Sequence, residues 1–254
     1  MKNSVRVAVV APKITTGWLD GNVKNMLQHI RRAASDGAEL VLLPEMALSG
    51  LVVTNNVSRD FPFSVSINSD TIKTFRHAAK TQEIWVAFGF FESDGMMMYN
   101  SAILIDNTGK IVLHYRRISK GWLWKNPPHN FGSGEGYPTF DTPWGKVGFL
   151  IGTDLFDPNA LRQAKNAELD LLLLPMSSNF EWAYIDPQMD WEVNFWPEYQ
   201  PRLAQIGATT LMSNFIEKRN MFHGGAFITN RGGELLAQLP LYTEDMLNGT
   251  INAG

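Results

Sequence analysis

Short unbroken apolar runs alternate along the chain with stretches whose apolar residues recur every three or four positions. The first kind reads as strands buried on both faces, and the second as helices with one buried stripe. The run Val5-Arg6-Val7-Ala8-Val9-Val10 predicts a first strand, ended by Ala11-Pro12. Val23, Met26, Leu27, Ile30 and Ala34 predict a helix over 22–36, with Gly37 as its stop. A strand over 38–44, a helix over 69–81 and a strand over 84–91 follow. Strands over 99–105 and 110–116 pair across the turn Asp106-Asn107-Thr108-Gly109. Farther on, the pattern gives strands over 145–151 and 169–175, and helices over 159–167 and 196–207. The last strands cover 209–214, 225–229 and 234–238, with Asn230-Arg231-Gly232-Gly233 as a turn. Strand–helix–strand units mixed with hairpins predict an α/β fold of mixed β-sheets flanked by helices. No linker or low-complexity tract interrupts the pattern, so one domain over 1–254 is expected.

Composition narrows the chemistry. At 254 residues the chain can bury one large core. A net charge of −3 gives no basic excess to attract nucleic acid or an anionic membrane. There is no cysteine, which excludes disulfides, thiolate chemistry and Cys-ligated metals. His29, His77, His114, His129 and His223 show no metal-ligand spacing, and Gly132-Ser133-Gly134-Glu135-Gly136 lacks the context and lysine of a phosphate loop. No metal or cofactor is expected. No run approaches the ~18 apolar residues of a membrane span. The N-terminal run is too short and interrupted for a signal peptide, so a cytoplasmic protein is expected.

Five stretches, in order, resemble the nitrilase or carbon–nitrogen hydrolase superfamily. They are Leu42-Leu43-Pro44-Glu45-Met46-Ala47-Leu48-Ser49-Gly50, Tyr99-Asn100-Ser101-Ala102, Tyr115-Arg116-Arg117-Ile118, Ile151-Gly152-Thr153-Asp154, and Gly224-Gly225-Ala226-Phe227-Ile228 with Gly232-Gly233-Glu234. The resemblance implies an αββα sandwich that pairs as a homodimer through its sheet-flanking helices. It also implies a Glu–Lys–Cys catalytic set acting at C–N bonds. Glu45 matches the glutamate, Arg117 stands at the lysine, and Gly152 stands where the cysteine belongs. Asp154 fits the family's aspartate, a second glutamate has no clear match in 121–129, and Lys120 competes with Arg117 for the lysine role. The chain ends soon after Thr250-Ile251-Asn252, which argues against a long tail bracing the dimer.

An ordinary thiol amidase or nitrilase is therefore excluded. Glu45, at the end of a buried strand, is either a proton carrier or the partner of Arg117. Arg117 brings a planar, permanently charged fork suited to an anion. Removing the thiol at Gly152 opens space for water or a ligand. Thr153 is expected on the opposite side of the chain from Gly152, and Asp154 more in the turn than in the chemistry. Trp122 and Trp182 are the best candidates for a pocket wall among Trp122, Trp124, Trp144, Phe180, Trp182, Trp191 and Trp196, and Ser177-Ser178-Asn179 is placed to face it. The substrate-contact candidates are thus Thr153, Asp154, Trp122, Ser177 and Trp182. Two functions stay open. One is an enzyme acting on a small amide-, imine- or nitrile-like molecule with Glu45 as base and Arg117 as anion binder. The other is an inactive relative with a binding or regulatory role. An open pocket favours the first, and closure of Glu45 on Arg117 favours the second.

Overall fold

The computed structural model describes residues 4–123, 125–179 and 186–252. The first sheet holds β1 (Val5–Ala11), β2 (Leu40–Leu42), β3 (Trp85–Asp94), β4 (Met97–Ile105) and β5 (Ile111–Arg116). The second holds β6 (Thr139–Thr142), β7 (Gly145–Phe149), β8 (Leu171–Pro175), β9 (Thr209–Ser213), β12 (Ala226–Thr229) and β13 (Leu235–Gln238). A small ladder pairs β10 (Ile216–Glu217) with β11 (Phe222–His223), and β14 (Asp245–Ile251) returns to the first sheet. The strand orders are β14-β1-β2-β3-β4-β5 and β13-β12-β9-β8-β7-β6. Each sheet is mixed: β1, β2 and β3 run parallel, as do β7, β8 and β9, with antiparallel strands outside them.

The apolar runs explain the layers. Val5, Val7 and Val9 face Phe149, Leu171, Leu173 and Leu211 between the sheets. Ala8 and Val10, pointing the other way, pack with Met26, Ile30 and Phe75 of α1 (Leu19–Ser35) and α3 (Asp70–Thr81). The short α2 (Val57–Asp60) lies between these two helices in sequence. On the far side, Leu172, Leu174 and Met212 pack against α4 (Pro158–Asn166) and α6 (Trp196–Ile206), which is preceded by α5 (Pro187–Asp190). The result is the expected αββα sandwich.

Several boundaries differ from the sequence pattern; β2, for one, covers only Leu40–Leu42, and β3 runs on to Asp94. Helix α1 starts at Leu19 because Asn22, in its first turn, binds Thr15 N and O and Leu48 O at 2.8–3.0 Å instead of packing apolar surface. Strand β7 stops at Phe149, two residues early, where the chain turns toward Gly152. Edge strands β6 and β14 escape the apolar pattern because exposed polar residues alternate with buried or half-buried ones along them. No helix among the described residues is long and apolar enough to cross a membrane.

Candidate active site

Glu45 follows β2 through Pro44, and a glycine on the neighbouring strand lets it sit deep. A β-carbon at Gly89 would lie 2.7 Å from Glu45 Cα, so only glycine permits this approach. Gly89 N–H bonds Pro44 O at 3.0 Å and Ala47 N–H bonds Gly89 O at 2.9 Å, which fixes the turn. Glu45 is 1% exposed. Its Oε1 accepts from Asn100 Nδ2 at 2.5 Å and Arg117 Nη1 at 2.8 Å, and its Oε2 accepts from Ser177 Oγ at 2.8 Å.

Arg117 follows β5 and is 3% exposed. Its backbone N–H continues the ladder to Asn100 O at 2.8 Å. Its fork then serves three acceptors: Nε donates to Ser119 Oγ at 3.0 Å, Nη1 to Glu45 and Nη2 to Thr153 Oγ1. A buried charge needs such pairing. Lys120 is exposed and does not line the cavity described below, so it is Arg117 that stands beside Glu45.

Gly152 opens a 3₁₀ turn, Gly152–Phe156, at φ +49°. Gly152 lines the open cavity described below, but the point where its side chain would begin is occupied. A β-carbon at 152 would lie 2.6 Å from Glu45 Oε2 and 3.2 Å from Arg117 Nη1. The Glu45–Arg117 ion pair stands against the position aligned with the family's thiol. Thr153 also departs from expectation. Strand alternation ends before this turn, so Thr153 lines the cavity and takes the Arg117 hydrogen bond instead of pointing away.

Asp154 is fully buried and does not line the cavity, which corrects its place among the substrate contacts. It accepts from Tyr115 OH at 2.7 Å, Ser119 N–H at 2.7 Å and Ile151 N–H at 3.2 Å, tying the turn to β5. Burial raises its carboxyl above the usual range, against the pull of Arg117 and these donors.

A cavity of about 640 Å³ opens on this group. Glu45, Arg117, Gly152, Thr153 and Ser177 form one end, with Trp122, Phe156 and Tyr199 among its aromatic walls. It reaches solvent past Asn179, Asn194 and Glu198, all exposed. Trp122 is held edge-on between Phe91 and Phe131, each 6.1 Å away. Burial pushes the Tyr199 hydroxyl up to about 12. Trp144 and Trp191 are core residues instead, against Trp85 at 5.0 Å and Phe227 at 4.4 Å. Trp124, Phe180 and Trp182 lie outside the described residues. Among the described residues, no group of three or more His, Asp or Glu is placed to hold a metal.

Asn100, which holds Glu45, carries only a weak signal in the sequence. Its signal was a polar residue at the head of the apolar run Ala102-Ile103-Leu104-Ile105. Asn194 and Glu198 had no such signal. They reach the cavity from the π-helical segment Trp191–Phe195 and from α6.

A carbon–nitrogen hydrolase family model matches residues 6–254. The chain belongs to that family. It is 26% identical to a citrullinase of Francisella tularensis over 98% of this chain and 89% of that one. It also matches a glutamine-dependent NAD(+) synthetase of Acinetobacter baylyi, at 21% identity, but spans only 43% of that protein's length. Among solved structures, a point mutant of an amidase of Nesterenkonia sp. AN1 superimposes with a TM-score of 0.80 at 18% identity, over 100% of this chain and 92% of that chain. That structure shows the acetamide moiety of fluoroacetamide covalently added at the amidase's active-site cysteine. This family member has no cysteine to offer.

Proposed function

We propose that the chain acts on a small amide-, imine- or nitrile-like molecule without a thiol intermediate. In this reading Glu45 carries the proton and Arg117 faces the negative charge that develops. The observation behind it is the open cavity of about 640 Å³ ending on Glu45 and Arg117. That volume lies within the roughly 300–1,000 Å³ usual for small-ligand sites. The five N–H donors of a guanidinium exceed the three bonds described for Arg117, and a carboxylate offers about four lone-pair positions against three bonds described for Glu45. Donors fixed in a buried site stabilise developing anions strongly. The citrullinase and amidase relatives point to the substrate class by their names.

A second reading, a binding or regulatory protein, has its own support. Glu45 closes on Arg117 at 2.8 Å, the outcome expected to favour this reading, it is engaged by three donors in all, and Gly152 brings no nucleophile. Ammonia release from a panel of small amides, ureas and nitriles, beside calorimetric binding of the same panel, separates the two. Turnover that drops by about 10²–10⁴-fold in Glu45→Gln supports the enzyme. Saturable binding with no release supports the binder and sinks the enzyme.

We also propose a homodimer, as the family resemblance implies. Met189 and Val193 are 58% and 64% exposed on one helical segment, which suits a covered surface. Light scattering that gives the monomer mass at micromolar concentration would refute it.

A further inference from the structure

The geometry points to Ser177 as a nucleophile that has taken over from position 152, with Glu45 as its base. This rests on the enzyme reading above and supplies its missing step. Ser177 stands just beyond β8, in the cavity wall, half-buried. Its hydroxyl donates to Glu45 Oε2 at 2.8 Å. A nucleophile within about 2.6–3.2 Å of a base, itself oriented by a further group, is the arrangement nucleophilic catalysis needs. Here Asn100 and Arg117 hold the opposite oxygen of Glu45 at 2.5 and 2.8 Å.

Gly152 is what makes this arrangement possible. Any β-carbon there would stand 2.6 Å from the oxygen that Ser177 binds. A residue with a side chain at 152 pushes that oxygen aside, whereas glycine lets it settle on Ser177. On this account the loss of the thiol and the recruitment of the serine are one change. It also explains why Glu45 stays buried and fully oriented in a chain without the cysteine.

The step balances as an acyl transfer. Ser177 Oγ bonds to the substrate carbonyl carbon while its proton passes to Glu45 Oε2. The carbonyl π pair moves to oxygen, which faces the guanidinium of Arg117. Collapse breaks the C–N bond, and the nitrogen leaves with the proton held by Glu45. Water then attacks the Ser177 ester and gives a proton to Glu45. The acid departs, and that proton returns to Ser177. The sum is amide plus water giving carboxylic acid plus ammonia or amine.

The absence of cysteine makes the test clean. The protein is incubated with p-nitrophenyl acetate, quenched, and mapped by mass spectrometry, beside ammonia release from the amide panel. The expected result is a p-nitrophenolate burst with one acetyl group on Ser177, absent from Ser177→Ala and Glu45→Gln. Turnover should fall about 10³-fold or more in Ser177→Ala and persist in Ser177→Cys, whose single thiol iodoacetamide should then block. Thermal melts confirm that the variants fold. If Ser177→Ala keeps kcat within about threefold of the parent, the serine is no nucleophile, and the Glu45–Arg117 chemistry stands without it. If the parent neither acetylates at Ser177 nor releases ammonia, both readings fall. Acetylation without ammonia release would keep the nucleophile and remove the assigned substrate class.

Discussion

At position 152 the backbone sits at φ +49°, a left-handed conformation, with two charged groups where a side chain would begin. Both conditions disfavour a β-carbon. Gly152→Ala is therefore expected to cost about 1–3 kcal/mol, read as a Tm fall of about 2–4 °C per kcal/mol. It should also weaken whatever Glu45 and Ser177 do together. An alanine variant that melts with the parent would mean that Glu45 does not lie where described. Asp154 makes a second residue-level case, because it collects three donors in a buried site. Asp154→Ala leaves them without their acceptor and is expected to cost about 3 kcal/mol or more, measurable by urea unfolding. Much of this was legible in the sequence. Glu45, Arg117 and Gly152 stood in recognisable surroundings, and the structure brings all three together. The crowding at position 152 was not legible, because the sequence does not show how near Glu45 and Arg117 stand to it across the two sheets.

Glu92 shows how one carboxylate can staple several elements. It lies on β3 and receives His114 Nε2 at 2.9 Å and Arg116 Nη2 at 2.7 Å from β5, and Ser101 from β4. Burial alone would push its carboxyl up, but the His114, Arg116 and Ser101 bonds outweigh it and hold the group at about 2. A depressed carboxyl stabilises the fold above its unfolded value, near 4.5, and loses that contribution as pH falls toward 2. The amount at stake is about 3 kcal/mol at most. Urea midpoints measured from pH 6 to pH 2 should fall through this window, and Glu92→Gln should flatten the fall. An unchanged slope in the variant would mean that the stapling contributes little. At this scale the sequence was most informative for central strands, whose unbroken apolar runs leave no alternative. It was least informative for β6 and β14, where an edge position lets polar side chains interrupt the run. The stop of β7 at Phe149 was also hidden, because Leu150 and Ile151 continue the apolar run into the turn. That miss is why Thr153 was expected on the wrong side.

One buried ring makes the stability of the whole molecule depend on pH below about 6.5. Burial lowers the His223 ring to about 4, against the pull of Gly224 O and Asp190. The unfolded ring takes its proton near 6.5, so stability is intact above that pH and drains away as pH falls toward 4. Proton uptake on unfolding at pH 5, measured by titration, should drop by about one in His223→Gln. The same whole-molecule view shows how the site is built across the sandwich. Glu45 and Arg117 come from ends of the first sheet, and Gly152 and Ser177 from ends of the second. If Arg117 and Gly152 are one rebuilt unit, changes at the two positions must depend on each other. Lysine lacks the Nη1 that crowds position 152, so it makes room for a side chain there. The most direct measurement is a double-mutant cycle of unfolding free energies for Gly152→Cys, Arg117→Lys and the pair. The account predicts that the pair is more stable than the sum of the single losses by about 1 kcal/mol or more, whereas additivity within about 0.3–0.5 kcal/mol would contradict it.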